Sequence, residues 1–192
     1  LLEGGRALLV VVAKSSGSSP GRAGFLMTVT PEESAGTIGG GQTEFLALER
    51  ARRVLEGEPP PPPLRLLLKE EESGTLCGGE MTLLFLPVPP ASLEEVEKIV
   101  GTLRQGGAGT LALAPTSLSW STTLRQSPLF VESPPKGWSF LSPLGCRGRA
   151  SLIGGGHLAL ALAKILPDLG FSVVLLDERQ EENPFATVGE RV

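Results

Sequence analysis

Three consecutive glycines leading straight into a helical pattern occur twice in the chain, at Gly39–Gly41 and at Gly154–Gly156. Such a run costs backbone entropy, so its use at a helix entry marks a backbone of positive φ or a place that something approaches closely. The helix that follows points its first unbonded N–H groups into the same space, which suits an anionic or flat polar ligand. For the first turn taken alone, a tight connection without a ligand is the favoured account. What surrounds each turn has to discriminate.

Around the second turn the pattern is that of a dinucleotide-binding unit. A short strand ends at Ile153, Gly154-x-Gly156-x-x-Ala159 opens an apolar helix, and the strand FSVVLL runs to Asp177, 23 residues after Gly154. Gly154 permits the tight turn, Gly156 lets a pyrophosphate reach the helix N-terminus, Ala159 allows close helix-to-strand packing, and Asp177 can accept from a ribose hydroxyl. Asp177 has a plainer role open to it, as a strand-ending carboxylate bonded to loop N–H groups. His157, the single histidine, reads as a solvated first-turn residue, because no partner acid or nucleophile can be placed beside it. The chain continues only 15 residues beyond Asp177, so the expectation is the start of a Rossmann-type domain that is incomplete in this sequence. The absence of an initial methionine adds the expectation of a fragment at the other end.

The first turn lies in a layered α/β pattern. ALLVVVA (residues 7 to 13) and GFLMTVT (24 to 30) read as strands, joined by a loop carrying Ser15, Ser16, Gly17, Ser18, Ser19, Pro20 and Arg22. Hydroxyls, backbone N–H groups and a guanidinium so gathered can hold an oxyanion, or simply make a polar hairpin tip. From Gln42 to Glu56, Phe45, Leu48, Ala51 and Leu55 fall at helical spacing. Gly57 should end that helix, and five prolines at 59 to 63 force an extended link to the strand LRLLLK, which should form a hairpin with EMTLLFLP. Ser92 and Glu95 have capping-box spacing ahead of a helix with the stripe Leu93, Val96, Val100 and Leu103, followed by the strand GTLALA. Residues 115 to 148 are less informative, with PLFVE and WSFLS suited to edge strands or an inter-domain connection. The organisation expected is a first domain over residues 1–131, a linker over 132–148 and a partial second domain over 149–192.

Composition removes several function classes. A net charge of −4 gives no general attraction to nucleic acid or anionic lipid, and aromatic residues at 5% with no tyrosine offer no base-stacking platform. No apolar run reaches the length that spans a bilayer, and the start lacks the basic segment of a signal peptide. Cys77 and Cys146 stand far apart without zinc-type spacing, which fits a reducing cytosol.

Taken in order, GSSPGRAG (17 to 24), GTIGGGQTE (36 to 44), LCGGEM (76 to 81), IGGGH (153 to 157) and LLDER (175 to 179) resemble the XdhC/CoxI family. These are accessory factors of xanthine dehydrogenase and related molybdenum hydroxylases. The resemblance implies an N-terminal XdhC/CoxI domain, a C-terminal Rossmann domain that takes NAD(P), a homodimer, and a cytoplasmic, non-catalytic chaperone of molybdenum cofactor. That chaperone would assist sulfuration, with a cysteine desulfurase as a further partner, and deliver the cofactor to a molybdenum hydroxylase. It also implies a cofactor site built from Ser18, Ser19, Arg22, Gly39, Gly40, Gly41, Gln42, Glu44, Cys77, Gly78 and Gly79, with Cys77 as the soft metal ligand facing the backbone of Gly39 to Gln42. Glu44 has two readings, a holder of pterin N–H groups or a favourable helix start against the dipole. The sequence departs from the family pattern at Gly21, which displaces the basic residue by one position to Arg22. Two other functions fit the motifs: an NAD(P)-dependent oxidoreductase using Gly154, Gly156, Ala159 and Asp177, and a scaffold whose second domain serves dimerisation and docking.

Overall fold

The computed structural model describes residues 6–68, 78–133, 137–145, 148–167 and 169–178. Those residues divide into two compact units, Leu1–Lys98 with Gly109–Pro143, and Ile99–Ala108 with Leu144–Val192.

The first unit is founded on β1 (Leu8–Ser16), which pairs antiparallel with β2 (Leu26–Val29) on one side and with β5 (Glu80–Pro87) on the other. β3 (Ser34–Gly36) and β4 (Leu64–Leu67) extend the sheet to the order β3-β2-β1-β5-β4. Leu8, Val10 and Val12 of β1 join Met27, Val29, Met81, Leu83 and Phe85 in the core beneath α1 (Gly41–Glu56). The opposite face of the same strands, Leu9, Val11, Leu84 and Leu86, is buried as well. Burial on both faces explains why β1 and β5 read as continuous apolar runs instead of alternating ones.

Compared with expectation, β1 runs three residues further, because Ser15 and Ser16 pair with Met81 and Glu80. The expected hairpin of LRLLLK with EMTLLFLP is present as the antiparallel pair β4–β5. Helix α1 forms where expected, and of the expected stripe Leu48, Ala51 and Leu55 pack on the core while Phe45 does not. Ala47, Ala51, Val54 and Leu55 are buried, whereas Phe45 is 59% exposed. Small residues at 47 and 51 let the helix axis approach the sheet, and a phenylalanine on that line would hold it away. The helix ends at Gly57, whose φ of 122° closes it with N–H bonds to the last turn, and the Arg6 guanidinium donates to the Leu55 carbonyl at 2.9 Å.

A 3-10 turn at Pro90–Ser92 leads into α2 (Leu93–Arg104). The capping box suggested by Ser92 and Glu95 does not form. Ser92 N–H donates to the Pro89 carbonyl, while the Glu95 carboxylate accepts from Trp120 N–H at 2.9 Å and from Lys98 at 2.8 Å. The stripe is also narrower than expected, with Ile99 buried and Leu93 and Val100 exposed. β6 (Ala108–Ala114), β7 (Ser117–Ser121), β8 (Leu129–Ser133) and β9 (Gly137–Gly145) make a second sheet in the order β7-β6-β9-β8, with β6–β7 and β8–β9 antiparallel. Gly137–Gly145 therefore corrects the reading of 132–148 as a linker. It is an interior strand that buries Trp138, Phe140 and Ser142 in strict alternation.

In the second unit β10 (Gly148–Ile153), α3 (His157–Ile165) and β11 (Phe171–Leu176) make a parallel strand-helix-strand unit, Ile153 pairing with Leu176. Val173, Val174 and Ala163 are buried in it.

The sheet core under α1 should set the stability of the first unit. Leu83 is fully buried there, so Leu83→Ala is expected to cost about 2–5 kcal/mol, read as a lower urea midpoint at unchanged slope.

Candidate functional site

Three separated segments of the first unit meet through their glycines. The turn after β1 runs Gly17-Ser18-Ser19-Pro20-Gly21, and its Gly21 is so close to the next segment that a Cβ there would lie 2.1 Å from the Ile38 carbonyl oxygen. From the other side, a Cβ on Gly39 would fall 2.5 Å from Gly21 N and from the Pro20 carbonyl carbon. Gly79, just before β5, would place one 2.7 Å from the carbonyls of Ser16 and Ser18. These glycines are contact surfaces, where backbone lies directly on backbone. The departure at Gly21 is thereby explained, since any side chain at that position would drive the two turns apart.

Gly40, Gly41 and Gly78 are different. The space that a Cβ would occupy is open at each of them, so they leave backbone exposed on the same cluster. Ser18 and Arg22 are exposed on the adjoining turn. Ser19 is instead buried, and its hydroxyl donates to the Gly21 carbonyl at 3.1 Å, a bond that holds the turn. Ser15 supports the far side by accepting from Ala23 N–H at 3.2 Å.

The triplet Gly39, Gly40 and Gly41 takes φ values of 123°, 76° and 68°, three successive positive angles that L side chains rarely adopt. Gly40 is the N-cap residue of α1 and no side chain caps that end. Glu44, one turn into the helix, folds back. Its Oε2 accepts from the Thr37 hydroxyl at 2.6 Å, Ile38 N–H at 2.8 Å and Gly40 N–H at 3.1 Å. Gly39 N–H donates to the Thr37 hydroxyl at 3.0 Å. Of the donors expected to face a ligand, those of Gly39 and Gly40 are thus used inside the turn, and the first-turn N–H groups of Gly41 and Gln42 lie beyond it. Partial burial pushes the Glu44 carboxyl up, but the bonds from Thr37, Ile38 and Gly40 together outweigh it and hold the group below the ordinary value of 4.5.

Cys77, read as the metal ligand, and Cys146 lie outside the described residues. Among the described residues no three His, Cys, Asp or Glu side chains come together as a metal cluster.

In the second unit the turn Gly154-Gly155-Gly156 follows the strand-to-helix pattern. Gly154 has φ 89° and donates to the Leu176 carbonyl at 2.7 Å, and Gly156 is the uncapped N-cap of α3 with open space where a Cβ would be. Ala159 is half-buried on α3, and His157 is exposed at its first position. The Asp177 carboxylate accepts from Gly155 N–H, the plainer of its two expected roles.

The fold and site define a mixed α/β protein whose first unit closes three glycine turns onto one another beside a helix N-terminus. Residues 1–79 match the model of the XdhC and CoxI family, a span that takes in GSSPGRAG, GTIGGGQTE and the LCGG of the third motif. In fold, the chain is similar to the crystal structure of a xanthine dehydrogenase from Bacillus halodurans, with a TM-score of 0.70 over 98% of this chain at 16% identity. The chain spans 63% of the length of that protein. No curated protein matches the chain. No helix among the described residues is long and apolar enough to cross a membrane.

What the sequence missed are Thr37 and Ile38, which present the hydroxyl and N–H that Glu44 grips. The only signal was the Thr-x-x-Gly-x-x-x-Glu spacing, legible once the turn is known to bend back on the helix.

Two outcomes follow from this geometry. Gly41→Ala meets no atom and should cost about 1–2 kcal/mol for its left-handed backbone. Gly39→Ala also collides with the Pro20–Gly21 backbone and should cost clearly more; equal urea midpoints for the two variants would refute the packed-turn account. Because the Glu44 pKa is depressed on folding, its stabilisation is full above the unfolded value and is lost as pH falls through the folded one. Wild type should therefore melt above Glu44→Gln near neutral pH, and the two melting curves should converge in acid.

Proposed function

We propose that the chain is a cytosolic, non-catalytic maturation factor that binds molybdenum cofactor, assists its sulfuration and helps deliver it to a xanthine dehydrogenase-type molybdenum hydroxylase. One observation carries the reading: the turns at 17–21, 38–41 and 78–79, all inside the family match, are packed into one cluster that leaves Gly40, Gly41 and Gly78 open. A pterin ring with a phosphate tail needs backbone donors and close approach, and the open glycines with the first-turn N–H groups of Gly41 and Gln42 suit both needs. Ser18 and Arg22 would meet the anionic portion. Cys77, directly before Gly78 in sequence, is the soft ligand of the reading, and the bound cofactor would supply a dithiolene-held metal there. Glu44 serves in this reading by fixing the turn. Homodimer formation and recruitment of a cysteine desulfurase belong to the same proposal.

The test is mass spectrometry of small molecules released on denaturing the full-length protein. Wild type should yield the pterin, and Cys77→Ala should yield markedly less. A wild type that releases no pterin overturns the reading, while equal release from both proteins removes Cys77 from the site.

A second reading, an NAD(P)-dependent oxidoreductase, is favoured by the parallel strand-helix-strand unit and the open Gly156. Titration of the full-length protein with NAD and NADP separates it, since failure to bind either would end it.

A further inference from the structure

On the sheet face turned away from α1, the first unit holds a cavity of about 620 Å³. Its size is that of small-molecule sites, roughly 300–1,000 Å³. Three side chains from adjacent strands cross it in one row, since Lys14 pairs with Thr82 and Thr82 pairs with Arg65. Directly paired residues of antiparallel strands share a face, so the two cations flank Thr82 about 10 Å apart at the Cα atoms.

Lys14 reaches this face through an irregularity. From Leu8 to Val12 the even-numbered residues of β1 point into the core beneath α1, and strict alternation would send Lys14 there as well. A register shift between Val12 and Lys14 inserts Ala13 as an extra residue and turns Lys14 to the cavity side. Bulges that re-aim a side chain in this way are over-represented beside functional sites.

The opposite wall is apolar, made by Pro128, Leu129 and Phe130. The Lys14 ammonium sits 5.3 Å from the Phe130 ring centre and makes no ion pair among the described residues. Arg65 is held by Glu132 at 2.7 Å through one terminal nitrogen, so the carboxylate orients the guanidinium and uses only part of its donor fork. Glu80 lies one row further along the same face, paired with Ser16, and excludes negative charge from that end.

We propose that this cavity binds a small oxyanion with a flat apolar body. The oxyanion lies at Lys14 and Arg65 over Thr82, and the body lies against Pro128 and Phe130. The proposal is independent of cofactor binding at the glycine turns. A phosphate ester and a carboxylic acid share the required chemistry.

Calorimetric titration of the full chain with phenyl phosphate, benzoate and benzyl alcohol tests it. One of the two anions should bind at least about tenfold more tightly than the neutral alcohol, and whichever is tighter names the source. Lys14→Met should weaken that anion by about tenfold or more, and Lys14→Arg should restore most of the affinity. Should Lys14→Met fail to fold, salt titration of wild type decides, because binding at these partly exposed cations must weaken as ionic strength rises. Equal binding of the alcohol, no binding of either anion, an unchanged Lys14→Met, or indifference to salt would each overturn the proposal.

Discussion

The direct contact of the Pro20–Gly21 backbone with Ile38 and Gly39 is the constraint on which the first unit depends. Two turns leave the same side of a sheet, one after β1 and one before α1, and each must be glycine at the touching point because a Cβ would overlap backbone. Their contact fixes where α1 begins. With its start fixed, the helix presents Ala47 and Ala51 to the sheet, and the small side chains permit the close approach that buries Val54 and Leu55. Gly79 repeats the arrangement from the third segment, lying on Ser16 and Ser18.

Glu44 satisfies the donors that this crowded turn brings together. Three N–H or O–H donors converge where the backbone reverses, and left alone they would lose water without gaining partners. The Glu44 carboxylate supplies the missing acceptor from inside the chain, and its position in the first turn of α1 also complements the helix dipole. These bonds are a third role, beside the two open to it from sequence. A ligand at this turn would accordingly meet the donors further along, at Gly41 and Gln42, and would find a carboxylate already seated beside them.

Legibility in the sequence followed the physics of each segment. Runs buried on both faces, such as LLVVV and LLFL, and the helix from Gly41 to Gly57 between two glycines, were visible because their signal is local. The outward place of Phe45 was not, since it is the more apolar residue and only the close approach to the sheet favours Ala47. β9 was hidden because serines and a proline dilute its alternation, and its interior place depends on partners distant in sequence. The meeting of GSSPG with TIGGG was implied by the family resemblance, but the reason for Gly21 lies in the fold, where a Cβ at that position would meet the Ile38 carbonyl. The bulge that turns Lys14 had no sequence signal, because a register shift is a property of two paired strands.

The two glycine triplets, alike in sequence, arrive at one electrostatic solution by different routes. In the first, an acid from the following helix accepts the N–H of Gly40; in the second, an acid at the end of the next strand accepts the N–H of Gly155. Each turn therefore carries its own internal carboxylate, which satisfies converging donors and repels a second anion placed on the same groups. An oxyanion at either turn must engage the helix N–H groups beyond the carboxylate, whereas a hydroxyl or ring N–H can donate to the carboxylate itself. A ligand that joins a donor group to an anionic group thus matches these turns better than a bare anion.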